Sequence, residues 1–531
     1  MTKRSKPRAI VVAPHTQAAQ AAASVLTEGG NAIEAMIAAA SVIAVVYPHM
    51  TGLGGDAFWL VYEPGCEVLA INASGPAGTL ATPGFFYNQG LSKLPARGPC
   101  AASTVAGTVG GWDLALEISR SWGGALPLTR LLGEAIAYAD GGMSVSASQV
   151  RSTKSHYSEL AGQPGFRDQY LVAGEVPAAG TLLRQSGLAA TLRQLSCAGL
   201  QDFYRGAIAE SIASDLVRVG SPLTSVDLGA YKARTVVPLR IAHRLGTLYN
   251  LPPPTQGVLS LMILGILDRV GLERYAAEST DMIHYTVEAT KRAFTLRDLH
   301  KETLLAPLGD VSEWLTPAVL DAHARAIDPL RAGPWQAGQG PADTVWMGVI
   351  DHAGRAVSFI QSLYHEFGSG VVLPQTGICW QNRGASFSLT AGAADLIAPG
   401  RAPYHTLNPM LAQLHDGRVL VFGAMGGDGQ PQTQAAVFTR AVVYGVDPQT
   451  AVSAPRWLLG RAWGDISDTL KIEERFPESV IEELERRGHI VERRGPFDEI
   501  MGHAGLLVRT GDGDVSGGAD PRSDGEVVYV S

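Results

Sequence analysis

The chain has 531 residues, of which 46% are hydrophobic and 17% charged, and this composition predicts a compact globular protein with a sizeable core. Its formal net charge is −8 and it contains no long basic run, so nucleic-acid binding is not expected. No CxxC or Cys/His cluster occurs, which argues against a zinc site or a disulfide framework and favours reduced thiols at Cys66, Cys100, Cys197 and Cys379.

The first predicted elements are helices. Basic residues at the N-terminus precede only five apolar residues before Pro14, too few for the core of a secretory signal. Helical spacing of small apolar residues covers positions 15–46 and is interrupted at Gly29 and Gly30, so we predict two packed helices, the second capped by Asn31. The longest apolar run, 35–47, is shorter than the ~20 residues that span a bilayer. We therefore expect a buried helix here, no membrane segment, and a cytoplasmic protein.

The remaining elements alternate between strands and helices. The segment FWLVYEPGCEVLAINAS predicts a hairpin, and residues 104 to about 300 are mostly helical except near VVPLRIAHRLGTLYNLPPPTQG, where alternation returns. Beyond residue 344 the strands TVWMGVID, AVSFIQSLY, GVVLPQTGICWQ and GRVLVFGAMGG are predicted to form one sheet pair. Helices at QTQAAVFTRAVVYGV and PESVIEELERRG are expected to cover it. The pattern indicates a layered α/β protein.

Thr344 occupies an unusual position, at the start of a predicted buried strand and directly after the Gly/Pro-rich run RAGPWQAGQGPAD. If the Asp343–Thr344 bond breaks, the new α-amine lies beside the threonine hydroxyl and can take its proton, so one residue supplies nucleophile and base. Asp-Thr dipeptides are also common in turns and helix caps. The junction alone leaves both interpretations open.

Other motifs are weaker. GLGGDA loosely resembles a dinucleotide-binding loop, but a strand follows it where a helix should begin, and no metal or phosphate motif is present. The glycines in FGAMGGDGQPQ follow a strand and suit either an oxyanion hole or a plain turn. Arg383 should need a carboxylate partner if it is buried. His405 could be a structural histidine.

Eight motifs follow one another along the whole chain: EGGNAIEAMIAAASVIAVVYP, GLGGDAF, STVAGTVGGW, LPPPTQG, DTVWMGVID, EFGSGVVLPQTGI, GAMGGD and GGADPRSDG. Together they resemble those of the gamma-glutamyltranspeptidase family of N-terminal-nucleophile hydrolases. The resemblance implies an α/β fold, a four-layer αββα sandwich, and a precursor that cuts itself between Asp343 and Thr344. Residues 1–343 and 344–531 would then remain associated as a heterodimer, and further dimerisation is left open. No cofactor and no metal are implied.

The resemblance also implies a catalytic set. Thr344 is the nucleophile, and Ser362 stands where the family has a threonine hydroxyl that supports it. Gly426 and Gly427 match the glycines of the oxyanion hole. Apart from the exchange at Ser362, the catalytic core follows the family pattern.

The substrate pocket departs from that pattern. Asn72 stands where γ-glutamyl-binding members have an arginine for the α-carboxylate, and Ser386 stands where they have an acid for the α-amine. Loss of the acid removes the partner of a substrate ammonium, while Arg383 offers a planar fork to a carboxylate. Smaller or amide side chains of the family are replaced here by Tyr364, Arg383, His405 and Thr406.

These differences predict a small anionic amide as substrate. Oxamate fits, and some family members hydrolyse it in purine-ring catabolism. Two alternatives stay open: a γ-glutamyltransferase or glutathione hydrolase, and an uncleaved binding protein that keeps only the fold.

Overall fold

The computed structural model describes residues 7–306, 309–335, 343–461 and 467–531, and the following elements belong to those ranges. The strands are β1 (Ala9–Ala13), β2 (Asp56–Tyr62), β3 (Leu69–Ala73), β4 (Met143–Ser144), β5 (Leu182–Leu183), β6 (Arg234–Val236), β7 (Leu239–His243), β8 (Gly246–Asn250), β9 (Asp343–Ile350), β10 (Ala356–Tyr364), β11 (Met410–Leu414), β12 (Val419–Ala424), β13 (Trp457–Leu459), β14 (Leu470–Glu473), β15 (Val491–Arg494), β16 (Ala504–Arg509), β17 (Val515–Ala519) and β18 (Glu526–Val530).

The α-helices are α1 (Thr16–Thr27), α2 (Ala32–Val46), α3 (Pro83–Asn88), α4 (Thr108–Ser121), α5 (Leu128–Leu131), α6 (Gly133–Gly141), α7 (Ala147–Ser155), α8 (Tyr157–Leu160), α9 (Phe166–Tyr170), α10 (Ser186–Ala198), α11 (Asp202–Arg205), α12 (Ala207–Val219), α13 (Ser225–Ala230), α14 (Gly257–Val270), α15 (Thr280–Leu299), α16 (Lys301–Leu305), α17 (Pro317–Arg325), α18 (Gly429–Phe438), α19 (Pro448–Ser453) and α20 (Glu478–Arg486). Short 3₁₀ or π turns occupy Leu272–Arg274, Ser312–Leu315, Arg383–Ser386, Thr439–Val443 and Glu499–Met501.

Two antiparallel sheets form the centre of the molecule. The first has the strand order β18-β1-β9-β10-β2-β3-β6, and the second has the order β17-β16-β12-β11-β8-β7. Apolar side chains such as Phe58, Trp346 and Val421 fill the space between them. Since β9 and β10 lie in the first sheet and β12 in the second, the predicted pair of sheets is present.

Helices cover the outer face of each sheet. The cluster that includes α1, α2 and α4 packs on the outer side of β9 and β10 through Val345, Met347 and Val357. A second cluster, built from α14, α15 and α18, packs on β8, β11 and β12. The architecture is therefore the four-layer αββα sandwich that the sequence predicted.

The predicted cap of the second helix and the predicted hairpin are confirmed. Asn31 Oδ1 accepts hydrogen bonds from the Ile33 and Glu34 N–H groups at 3.0 and 3.1 Å, while Glu34 Oε2 accepts the Asn31 N–H at 3.0 Å. This capping box begins α2, which is buried along its whole length. The predicted hairpin is the antiparallel pair β2 and β3. No described helix is both long and apolar enough to cross a bilayer.

Two predictions for the C-terminal part are wrong. Residues 370–381 form only isolated bridges, between Val372 and Cys379 and between Trp380 and Gly54, because Pro374 has no N–H and the chain turns at Gly377. Helix α20 packs through Ile481 and Leu484 on the small sheet β13-β14-β15, not on the central pair. In the Gly/Pro-rich run before Thr344, residues 336–342 and the side chain of Asp343 lie outside the described part of the chain.

Candidate active site

Thr344 is fully buried between the two sheets, at the start of β9. Alternate residues of a strand share a face, so Thr344 points the same way as Trp346. The Trp346 ring lies over Gly423 of β12, where a Cβ atom would fall 2.2 Å from Trp346 Cδ1, and Gly348 lies over Val421. The two strands thus run in opposite directions across the interface, which directs Thr344 towards the residues after β12.

A register shift on β10 lies opposite Thr344. Gln361 pairs with Val345 and Tyr364 pairs with Asp343, so two β10 residues, Ser362 and Leu363, face one on β9. Ser362 Oγ accepts the Tyr364 N–H at 2.8 Å. Tyr364 has a φ of +86°, which is strained for a residue with a side chain. The irregularity places the Ser362 hydroxyl beside the start of β9.

The loop after β12 carries two adjacent glycines with positive φ, Gly426 at +117° and Gly427 at +54°. Met425 N–H bonds to the carbonyl of His503, but within the described ranges neither the Gly426 nor the Gly427 N–H donates a hydrogen bond. Two neighbouring donors without acceptors can bind a developing oxyanion.

Gln256 holds this loop in place. Its Nε2 donates to the carbonyl oxygens of Thr406 and Gly427 at 2.7 and 2.8 Å. Its own N–H donates to the carbonyl of His405 at 2.9 Å. The LPPPTQG segment therefore ties the His405–Thr406 segment to the candidate oxyanion loop.

Arg383 lies beside the ends of β2 and β10. The segment before it is fixed by Gln381 N–H to Gly54 O at 3.0 Å and Asn382 N–H to Leu363 O at 3.1 Å. The guanidinium carbon lies 3.9 Å from the centre of the Tyr364 ring. All three guanidinium nitrogens are buried without a hydrogen-bond partner, and no ion pair joins Arg383 to an acid of the described residues. Burial lowers the pKa of Arg383 to about 10, so it remains a cation at neutral pH.

His405 and Asp56 are two further buried residues, and both interact electrostatically with Arg383. His405 Nε2 is 3.5 Å from Asp56 Oδ2 without making a hydrogen bond, and the His405 ring packs edge-on against Phe58 at 5.0 Å between ring centres. Burial, reinforced by Arg383, holds the pKa of His405 well below its usual value. The pair is therefore a neutral imidazole beside a carboxyl group, since burial also raises the pKa of Asp56 to about 7.

The other predicted pocket residues differ in whether their polar side-chain atoms already have hydrogen-bond partners. Thr406 is buried and its Oγ1 has no hydrogen-bond partner in the described chain, so it is available to a ligand. Asn72 Oδ1 accepts the N–H and the hydroxyl of Ser74 at 3.0 and 2.7 Å. Ser386 Oγ donates to the carbonyl of Arg383 at 2.9 Å. The side chains of Asn72 and Ser386 are thus engaged locally.

The site is closed in the uncut chain. Thr344 and His405 are 0% exposed and Arg383 is 1% exposed. Open clefts of about 440 and 470 Å³ border Asn31 and Tyr249 instead. A small cavity of about 20 Å³ borders Met425 and Gly426.

One cluster of metal-ligand type, His284, Glu288 and His489, lies elsewhere, on the helical layer. His284 contacts His489 at 2.9 Å through one ring nitrogen and the Asp328 carbonyl at 2.8 Å through the other. Glu288 accepts the Lys291 ammonium at 2.7 Å. These atoms already satisfy one another, so the geometry does not indicate a metal centre.

Sequence reasoning missed Asp56 and Gln256. Both lie inside motifs that had been noticed, GLGGDAF and LPPPTQG, and a polar residue at the first position of a buried strand was the available signal for Asp56. Their roles depend on contacts with residues more than a hundred positions away, which no local pattern reveals.

Comparison with known proteins identifies the family of the chain. The family model for gamma-glutamyltranspeptidase matches residues 18–530. The chain is 55% identical to the oxamate amidohydrolase proenzyme of Klebsiella pneumoniae over 97% of each chain, and 38% identical to a glutathione hydrolase-like proenzyme of Bacillus subtilis over 98% of each. A cephalosporin acylase of Bacillus halodurans has a similar structure, with a TM-score of 0.88 and 31% identity, covering 100% of this chain and 98% of that one. This chain belongs to the gamma-glutamyltranspeptidase family.

Proposed function

We propose that the protein is a self-processing amidohydrolase that hydrolyses a small carboxylate-bearing amide such as oxamate to oxalate and ammonia. The observation that carries this proposal is the buried Arg383 guanidinium, stacked on Tyr364 with its nitrogens unpartnered, at the strand ends where Thr344 and Ser362 lie. An unpaired buried cation is costly unless a ligand anion neutralises it. The 55% identity to an oxamate amidohydrolase supports the same substrate.

The proposed reaction uses residues already described. The free α-amine of Thr344 takes the proton of its own hydroxyl, and the oxygen attacks the amide carbon. The N–H groups of Gly426 and Gly427 stabilise the oxyanion, each by roughly 2.7 to 4 kcal/mol. The nitrogen leaves as ammonia once it has received a proton. Water then attacks the acyl-Thr344 ester, which releases the acid and restores the hydroxyl.

Maturation would begin from the uncut chain. The Thr344 hydroxyl attacks the carbonyl of Asp343, the peptide nitrogen leaves, and hydrolysis of the resulting ester gives subunits 1–343 and 344–531. The strained Tyr364, which pairs with Asp343, supports a distorted junction. The buried state of the site in the uncut chain supports a precursor without access for substrate.

A γ-glutamyltransferase or glutathione hydrolase is the second candidate, favoured by the 38% identity to a glutathione hydrolase-like proenzyme. Two observations weigh against it. Asn72 and Ser386, at the positions expected to hold the γ-glutamyl α-carboxylate and α-amine, have side chains engaged with Ser74 and with the Arg383 backbone.

We also place the reaction in the cytoplasm, as a step of purine-ring breakdown. The four cysteines are unpaired, and Cys66 and Cys197 are exposed, which suits a reducing compartment.

Gel electrophoresis tests self-processing. The purified protein should give bands near 36 and 20 kDa, from 56.0 kDa × 343/531 and 56.0 kDa × 188/531. Thr344→Ala should give one band, and a single band for the active wild type would refute the proposal.

Product analysis tests the substrate. We expect equal amounts of ammonia and oxalate from oxamate, and much slower release from a γ-glutamyl anilide. Equal or faster turnover of the γ-glutamyl compound would favour the second candidate.

A further inference from the structure

Asp56 has a carboxyl group of which only one oxygen is satisfied. Its Oδ1 accepts the Gly75 and Gly107 N–H groups at 3.0 Å each and Gln381 Nε2 at 3.1 Å. Its Oδ2 is buried and has no hydrogen-bond partner among the residues that the structure describes. Three donors on one oxygen hold the carboxyl group in place, whereas the second oxygen makes no hydrogen bond and lies 3.5 Å from His405 Nε2.

That free oxygen belongs to the candidate active site. Asp56 pairs with Ser362 across β2 and β10, and Thr344 lies on the next strand, β9, so the three residues form a row across neighbouring strands about 4.8 Å apart. Asp56 and Arg383 interact electrostatically, yet they do not approach within ion-pair distance. The buried Arg383 cation and the buried Asp56 carboxyl therefore do not neutralise each other through a direct ion pair in the described chain.

The protonation state of Asp56 determines whether a substrate carboxylate or a substrate ammonium can bind beside it. A carboxylate bound to Arg383 would be repelled by an ionised Asp56 in a buried site, but a protonated Asp56 could donate a hydrogen bond to it. A substrate ammonium would require the opposite, an ionised acid.

We propose that Asp56 is a further substrate-binding residue that meets the carboxylate of the substrate as a neutral acid, donating its Oδ2 proton while Arg383 holds the anion from the other side. Binding takes one proton from solvent and breaks no covalent bond. The inference rests on the proposed function, and it narrows the substrate class to amides next to a carboxylate that lack an α-ammonium.

The surroundings of Asp56 are consistent with this role. Burial raises its pKa to about 7 against the opposing effect of Arg383, and a bound anion would raise the pKa further. The other titratable groups that face it are His405 from the loop before β11 and Tyr204 and Tyr231 from the helical layer. Burial keeps His405 neutral and raises the pKa of both tyrosines, so these three side chains supply no competing charge at neutral pH. In the mature enzyme the α-amine of Thr344 also faces this row and ordinarily titrates near pH 8, above the pKa of Asp56, so the comparison with Asp56→Asn separates the two protons.

Titration calorimetry of the mature enzyme tests the inference. Pyruvate serves as the probe because it replaces the oxamate nitrogen with a methyl group and cannot release ammonia. Measured in buffers of different ionisation enthalpy, proton uptake should rise from near zero at pH 5.5 to about one at pH 8.5, and Kd should increase about tenfold per pH unit above the pKa of Asp56.

Variants assign the proton. Asp56→Asn keeps an oxygen for the three donors and carries a permanent N–H donor in place of Oδ2, so its affinity should not depend on pH and no proton should be taken up. His405→Gln should retain the uptake. Uptake that persists in Asp56→Asn, or that disappears only in His405→Gln, would overturn the role of Asp56.

The wild-type data also decide the matter if Asp56→Asn fails to fold. A Kd for pyruvate that does not change with pH and is not accompanied by proton uptake would overturn the inference even if oxamate is hydrolysed. A Kd that decreases as pH rises would also overturn it. Proton-linked pyruvate binding without oxamate hydrolysis would instead refute the proposed function and leave the role of Asp56 standing. If neither proton-linked pyruvate binding nor oxamate hydrolysis is observed, the role of Asp56 and the proposed function are both refuted.

Discussion

The guanidinium of Arg383 lies 3.9 Å from the centre of the Tyr364 ring, and the backbone of Tyr364 is strained at the position that pairs with Asp343. One residue therefore joins the candidate anion site to the candidate cleavage site. The ring supports the cation while the strained backbone sits beside the bond to be cut.

Removal of the cation should weaken substrate binding. Arg383→Ala should raise KM for oxamate about 10- to 150-fold, since a charge-assisted hydrogen bond contributes about 1.5 to 3 kcal/mol. Tyr364→Phe is the matched control because it keeps the ring face and should change KM little. Steady-state ammonia release measures both, and an unchanged KM in Arg383→Ala would refute the carboxylate role.

Loosening of the oxyanion loop should slow the chemistry. Gln256→Leu has a similar volume but leaves the Thr406 and Gly427 carbonyls without their donor, so kcat for oxamate should fall about 10- to 100-fold through misplacement of the loop. Gln413→Leu, which removes a hydrogen bond to Tyr249 in the same sheet, should leave kcat nearly unchanged. Equal effects of the two substitutions would argue against a positioning role for Gln256.

A side chain at Gly426 should damage catalysis more than stability. Its φ of +117° is unfavourable for alanine, so Gly426→Ala should shift the N–H and lower kcat about 100- to 1000-fold. Gly445→Ala provides the control, because Gly445 also has a positive φ, +67°, with open space around it. Both variants should lose about 1 to 2 kcal/mol of stability, measured by urea unfolding, and only the first should lose activity.

A buried ion network should govern stability near the C-terminus. Arg522 contacts Glu473 at 2.6 Å and Asp520 at 3.0 Å, and Asp520 also accepts Arg456, with all four side chains at most 1% exposed. Asp520→Asn leaves buried arginines undercompensated and should cost about 3 to 5 kcal/mol in the free energy of unfolding at pH 7. Asp416→Asn, which removes an exposed partner of Arg418, should cost less than about 1 kcal/mol.

The same network predicts an acid response. Burial alone would raise the pKa of Asp520, but Arg456 and Arg522 outweigh it and lower the pKa. The contribution of Asp520 is therefore present above the unfolded pKa of about 3.9 and is lost as pH falls through the lower folded value. The difference in urea midpoint between wild type and Asp520→Asn should shrink below pH 4. A difference that is constant from pH 7 to 3 would contradict this assignment.

Local signals predicted much of the fold. Asn31 follows two glycines and precedes an apolar run, and it caps α2 as expected because its side chain bonds within three residues. The stretch 370–381 was predicted to be a strand because it is apolar. Its N–H groups instead bond to distant partners, such as Val372 to Pro164 and Gln375 to Asp215, which sequence patterns do not show.

The candidate site was predictable only in part. Thr344, Ser362, Gly426 and Gly427 followed from resemblance, since motifs preserve their order. The burial of Asp56 beside Arg383 depends on three separate segments that converge on one point. Local sequence patterns do not show which carboxyl group will be buried by such distant contacts.

The strand order of the first sheet determines how firmly the two polypeptides would stay associated in a chain cut before Thr344. β18, β9 and β10 lie after the cut, while β1 lies between β18 and β9, and β2 continues the sheet beyond β10. Strands of the two polypeptides alternate in this sheet, so neither polypeptide can dissociate unless the hydrogen bonds between the central strands break. Two differently tagged enzymes, mixed after maturation, should never yield a hybrid.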